Sequence, residues 1–215
     1  MSDCVILNKN YDMNLLLNDY NIALNEREFI KKEYPKGASV SLYENTIGWS
    51  SIPLHSRNGL EGNEGNILTI IDDKVFKPTS ILKKCEYFQK ILNDLNTDIY
   101  LVRLMKLDAG GYIAPHNDGY QFHDRSKMIR CHIPIITNEL VFFGINDKKY
   151  NLKKGYLYYT RVDKKHWVKN NSDQDRIHLV IDIKPTLKML EMIGVIKKNN
   201  VAKLSLFKNF TMDYN

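Results

Sequence analysis

His116 and Asp118 stand two residues apart in the segment Pro115-His-Asn-Asp118. On a β-strand, residues i and i+2 project from one face, so an imidazole and a carboxylate converge there. A further imidazole would complete a two-histidine, one-carboxylate set, the donor set that holds non-haem Fe(II) with coordination positions left open. A His-x-Asp pair by itself carries little weight. His166 is the natural third ligand: it opens the short stretch His166-Trp-Val-Lys-Asn170, after Gly155 and a run of tyrosines. Taken alone, it reads as a surface histidine beside Trp167.

Two further segments share a pattern. In Arg130-Cys-His-Ile-Pro-Ile135, Arg130, His132 and Pro134 lie on one face of a strand, and Cys131, Ile133 and Ile135 on the other. In Arg176-Ile-His-Leu-Val-Ile-Asp-Ile183, Arg176, His178 and Val180 oppose Ile177, Leu179, Ile181 and Ile183. If the apolar faces pack under helices, both Arg-x-His faces point into the protein. A buried guanidinium is costly unless a carboxylate meets it. Asp182 shares the face of Arg176 and is one candidate partner. A dianionic ligand, gripped bidentately by arginine, is the other.

The elements that must position these groups are mostly strands. Ile99–Leu107 predicts a long strand ending at Ala109-Gly-Gly111. It is followed by short strands at Tyr112–His116, Met128–Thr137, Leu140–Ile145, Tyr156–Thr160, His166–Lys169 and Arg176–Ile183. Such spacing suggests a sandwich or barrel rather than βαβ units. Upstream, the pattern predicts a short helix over Asp12–Tyr20, another at Glu26–Tyr34, strands at Ala38–Tyr43 and Gly48–His55, and a loop at Ser56–Gly65. Apolar positions from Ile81 to Leu95 recur with a helical period, predicting one helix over Pro78–Leu95, and Thr186–Lys197 predicts a C-terminal helix.

Composition sets the frame. The 215 residues are 43% hydrophobic and 26% charged, a globular balance with a real core. No apolar run is long enough for a membrane span, and the first residues lack the basic-then-apolar layout of a signal peptide. Three widely spaced cysteines, Cys4, Cys85 and Cys131, fit neither a disulfide framework nor a thiolate metal site. A cytoplasmic protein with no membrane partner is expected. Net charge is +6, but the lysines are scattered, so the basic surface reads as solvation and nucleic acid is an unlikely partner.

Leu101-Val-Arg-Leu-Met-Lys-Leu-Asp-Ala-Gly-Gly-Tyr-Ile-Ala-Pro-His-Asn-Asp118, then Arg130-Cys-His-Ile-Pro-Ile-Ile-Thr-Asn138, then Gly155 through His166-Trp-Val-Lys-Asn170 to Asp182, resemble in order the core blocks of the aspartyl/asparaginyl β-hydroxylase family. A fainter echo runs from Trp49 to Gly59. The resemblance implies a mainly β fold with flanking helices, a double-stranded β-helix (cupin-like jelly roll). It implies Fe(II)/2-oxoglutarate-dependent dioxygenase chemistry, with O₂ consumed and succinate and CO₂ released. It implies His116, Asp118 and His166 as iron ligands, and Arg176 as the partner of the distal carboxylate of 2-oxoglutarate. Arg130 and His132 would help to hold the cosubstrate, with His178 beside them. Vertebrate aspartyl hydroxylases have glycine at the place of Asp118, so this chain is similar to the branch with a full triad, which includes free-amino-acid hydroxylases such as proline cis-hydroxylases.

A single dioxygenase domain over residues 1–215 follows, with a core at about 97–183, an N-terminal α/β elaboration over 1–96 and a C-terminal helical extension over 184–215. The substrate is expected to be a small amino acid or an amino-acid side chain. Trp49, His55, Arg57 and His123 are candidate substrate-binding residues; a core tryptophan and a solvated loop arginine are the plainer account of Trp49 and Arg57. Two other functions remain open: a jelly-roll binding module without turnover, and an oxygenase acting on nucleic acid. The sequence leaves the oligomeric state undetermined.

Overall fold

The structure is a computed structural model that describes residues 2–31, 46–66, 75–119 and 122–197. Its N-terminal half contains β1 (Cys4–Asn10), α1 (Met13–Glu26), β2 (Ile30–Lys31), β3 (Ile47–Arg57), β4 (Phe76–Pro78), α2 (Ser80–Lys84) and α3 (Glu86–Leu95). Then come β5 (Ile99–His116), β6 (Ile129–Ile136), β7 (Val141–Ile145), β8 (Lys148–Tyr150), β9 (Tyr156–Thr160), β10 (His166–Asn170), β11 (Arg176–Ile183) and α4 (Leu187–Met192).

Strand β5 joins the two layers. Residues from Ile99 to Leu107 pair with β11, and Val102 to Leu107 pair with β3 on the other side. Its far end, from Tyr112 to His116, pairs with β10. The first layer runs β1-β9-β6-β11-β5 with β3 beyond, the second β5-β10-β7-β8, and all pairings are antiparallel. This is the expected jelly roll. The two strands predicted on either side of Ala109-Gly-Gly111 are one bent strand. Gly110 sits at φ +69°, and a Cβ on Gly111 would come within 2.7 Å of the Asp108 carbonyl oxygen. Only glycine accommodates that turn without breaking the ladder.

Alternation decides what each face covers. Ile177, Leu179, Ile181 and Ile183 of β11 join Val102, Leu104 and the apolar stripe Phe88, Ile91, Leu92 and Leu95 of α3 in the outer core. The opposite face lines the interior between the layers, where Leu107, Ile113, Phe143, Ile145, Tyr158 and Val168 cluster. Every residue of β11 is buried, so each polar group on its inner face must find a partner inside the protein.

The helices depart from prediction in instructive ways. The periodic run from Pro78 to Leu95 is two helices, broken at Cys85 (φ −98°, ψ 83°). Thr79 caps the first by accepting from Leu82 N–H at 3.2 Å. The second is capped from outside: Asp19 of α1 is buried and accepts from Phe88 N–H at 2.8 Å. Asp12 caps α1, which extends past the predicted end to Glu26. The predicted C-terminal helix stops at Met192, and Gly194 follows at φ +71°. The turn of helix predicted from Glu26 is replaced beyond α1 by extended chain and β2, and residues 32–34 lie outside the described residues. So does the predicted strand Ala38–Tyr43. The short strands β1, β4 and β8 are additions to the prediction. Among the described residues, no helix is long and apolar enough to cross a membrane.

Candidate metal centre and its pocket

The antiparallel register of β5 and β10 sets His116 directly opposite His166. Their rings lie 4.2 Å apart, centroid to centroid. Asp118 follows two residues later in the loop leaving β5, where its N–H donates to the Val162 carbonyl at 2.8 Å. Asp118 Oδ1 is 3.5 Å from His116 Nε2 and 4.0 Å from His166 Nε2. One ligand atom from each residue lies within 4.8 Å of the others, close enough to share one ion.

Backbone carbonyls fix both rings. His116 Nδ1–H donates to Ala114 O at 2.8 Å and His166 Nδ1–H to Lys164 O at 2.9 Å. A carbonyl can only accept, so each Nδ1 carries the proton and each Nε2 keeps its lone pair for a metal. Burial pushes the His166 imidazole down to about 4, against the opposing pull of Asp118, so it is neutral near pH 7. Burial would raise the Asp118 carboxyl, but the Arg130 guanidinium and the two histidines hold it well below the usual carboxylate range. Two imidazoles and one carboxylate are the donor set that suits Fe(II).

For Arg130 the geometry departs from the role implied by the resemblance. Its Nε and Nη2 donate to Asp182 at 2.6 and 2.8 Å, and its Nη1 donates to Asp118 Oδ2. Asp182 is fully buried and also receives Arg103 Nη2 at 3.3 Å. The carboxylate demand of Arg130 is therefore met within the protein. The register explains it: Asp182 is the cross-strand partner of Arg130 on β6. It is six residues from Arg176 along β11, about 20 Å at strand rise, so the pairing of Asp182 with Arg176 considered from sequence is out of reach.

Arg176 is the opposite case. It is 2% exposed, and among the described residues its side-chain partner is His178 Nδ1, to which Nη2 donates at 2.7 Å. Burial alone pushes its guanidinium down to about 9. Because His178 Nδ1 accepts, its proton sits on Nε2, and that buried donor meets no partner among the described residues, nor does Arg176 Nε. Both ring nitrogens of His132 are likewise buried and unpartnered among the described residues. Burial and then the charge of Arg176 hold His132 and His178 neutral. A chain of ring contacts links this end to the metal ligands: His178 to His132 at 5.8 Å, His132 to Phe143 at 5.4 Å, Phe143 stacked on His166 at 5.8 Å. The space before Arg176 and His178, walled by Thr137, Phe143 and Val168, is only about 10 Å³.

The candidate substrate residues do not gather at one place. Trp49 packs against the interior cluster and lines a surface groove with Phe29, Lys31 and Lys106. His55 Nδ1–H donates to Tyr100 O at 2.7 Å, and the residue lines a different pocket beside α3, with Leu82 and Leu92. Arg57 ends β3 beside β4. His123 is exposed, but its neighbour Phe122 lies under the Arg130 guanidinium at 4.7 Å. Sequence reasoning missed Asp182 as the link between two arginines, and Phe143 and Thr137 as pocket walls. Only Asp182 left a trace, as a carboxylate on the inward face that also carries Arg176 and His178.

The model of the family described as Aspartyl/Asparaginyl beta-hydroxylase matches residues 12–185. Among solved structures, the viral collagen prolyl hydroxylase of Paramecium Bursaria Chlorella virus-1 is 12% identical, over 86% of this chain and 97% of that one, at a TM-score of 0.47. An oxidoreductase of the 2OG-Fe(II) oxygenase family from Burkholderia pseudomallei is 9% identical, over 78% and 77%, at 0.49. A cupin domain from Bordetella pertussis is 20% identical, over 40% and 83%, at 0.32. The family match takes in every strand from β2 to β11, and with it each of the groups described above; the chain belongs to the aspartyl/asparaginyl β-hydroxylase family and is a hydroxylase.

Proposed function

We propose that this protein is an Fe(II)- and 2-oxoglutarate-dependent dioxygenase that hydroxylates a C–H bond of a small amino acid or of an amino-acid side chain. His116, Asp118 and His166 would hold the iron. Arg176 and His178 would take the distal carboxylate of 2-oxoglutarate, with His132 between them and the metal. When bound, the metal supplies oxygen activation, coupled to conversion of 2-oxoglutarate to succinate and CO₂. The residues of the chain bind, orient and keep water out. Residues 1–215 are taken as a single dioxygenase domain.

The observation that carries this reading is the excess of donors on the inner face. A buried cation that meets no carboxylate among the described residues, flanked by imidazole nitrogens unpartnered among them, is costly in the empty protein and complementary to an anion. A binding module without turnover would share that pocket, so turnover must be measured. Anaerobic titration with Fe(II) and 2-oxoglutarate should show both bound. Succinate release should then appear slowly without substrate, and faster with one member of a panel of amino acids, peptides and oligonucleotides. Silence across the panel with both ligands bound would favour the binding module; stimulation by oligonucleotide would replace the amino-acid substrate.

A further inference from the structure

The two oxygens of Asp118 face different partners. Oδ1 faces the Nε2 atoms of His116 and His166, at 3.5 and 4.0 Å, while Oδ2 accepts from Arg130. Arg130 in turn is held on three sides. Its other edge is clamped by both oxygens of Asp182, at 2.6 and 2.8 Å, and the Phe122 ring lies over its face at 4.7 Å. Asp182 is itself anchored by Arg103, whose Nη1 also donates to Asn66 O at 3.3 Å. Two arginines and two aspartates alternate along this path, so its charge sums to zero before any metal arrives. Each end is tied to a strand: Arg103 to β5, Asp182 to β11, Arg130 to β6.

We infer that Arg130 is a positioning residue for the metal: by occupying Oδ2 it makes Asp118 ligate through Oδ1 alone. The inference rests on the proposed function, in which the three residues hold a divalent ion. A carboxylate free to turn can bind an ion through both oxygens and fill a position that a cosubstrate or O₂ needs. Here the fork of Arg130 spends one edge on Asp182 and the remaining Nη1 on Asp118, a division that needs more than one point donor. Outer-shell partners of this kind orient a ligand and raise its affinity for the ion.

The test uses Mn(II) as probe, which takes the same donors, with the free ion followed by electron paramagnetic resonance in protein without cosubstrate. Wild type binds Mn(II). Arg130→Met should weaken binding by about 10- to 100-fold, the range for loss of an outer-shell partner. Arg130→Lys keeps the charge without the fork and should fall between. Melting curves of the metal-free proteins are measured alongside. A merely structural arginine would lower the melting temperature and leave Mn(II) affinity within about twofold, and that result overturns the inference. A wild type that binds no Mn(II) overturns the proposed function as well, so the two failures are distinct. Should neither variant fold, the Mn(II)-loaded wild-type crystal structure decides. One Asp118 oxygen on the metal and the other on Arg130 is expected; both oxygens on the metal overturns it.

Discussion

Arg130 and Arg176 open the same Arg-x-His pattern on neighbouring strands of one buried face, and the protein treats them in opposite ways. Arg130 lies between two carboxylates, Asp118 and Asp182, and its charge is stabilised by both against the cost of burial. Arg176 meets no carboxylate among the described residues, and burial pushes its guanidinium down. The first corner is finished by folding; under the proposed function a ligand finishes the second. A motif thus does not fix a role. The cross-strand register does, because it decides whether a carboxylate arrives opposite the guanidinium.

The comparison can be broken at several points. The largest effect is expected at the metal corner, where His116→Ala should abolish Fe(II) or Mn(II) binding altogether; titration at wild-type affinity would remove that corner from the account. Next is Asp182→Asn, which leaves Arg103 and Arg130 sharing a neutral amide. Breaking a buried ion pair from one side costs about 3–5 kcal/mol, to be read by urea unfolding of the metal-free protein. A loss under about 1 kcal/mol, the range of exposed pairs, would mean that this corner is no better satisfied than the other.

At the ligand end the expected pattern reverses. Arg176→Met should cost on the order of 2–5 kcal/mol of 2-oxoglutarate binding, with iron retained, because an anion loses a buried charged partner. Stability of the empty protein should hold or rise, since an unpaired buried cation has been removed. Arg176→Lys keeps the charge, loses the planar fork and should lose less affinity. Equal destabilisation by Arg176→Met and Asp182→Asn, with cosubstrate affinity unchanged, would erase the contrast. The smallest effect concerns a dicarboxylate without metal. Succinate at ten times its Kd should stabilise wild type by about 1.4 kcal/mol and leave Arg176→Met unmoved, as seen in melting curves.

Much of this was legible in the chain, and the limits have physical causes. Alternation along Arg176–Ile183 and Arg130–Ile135 separated the apolar outer face from the polar inner one, because side-chain direction on a strand is local. Partner choice is not local. Asp182 shares a face with Arg176 but lies across from Arg130, and only the pairing of β11 with β6 reveals it. The break at Cys85 hid inside an unbroken apolar period because the cap that starts α3 comes from Asp19 on another helix. Strand β8, three residues long, is too short to show a period, and it exists by pairing with β7. Trp49 and His55 share strand β3 but line different grooves, a separation that the sequence alone does not show.

One strand serving both layers has a consequence for how the protein comes together. The partners of β5 are remote in sequence: β3 long before it, β10 and β11 long after. Closing such distant pairs carries the chain entropy that makes all-β topologies slow to fold. His116 is the last residue of β5 and meets His166 only when the second layer has docked. Folding therefore has to deliver both layers before the imidazoles can face one another. A chain emerging from synthesis cannot bring His116, Asp118 and His166 together until β10 has been made and placed, which under the proposed function would defer metal capture to the closing stage of assembly.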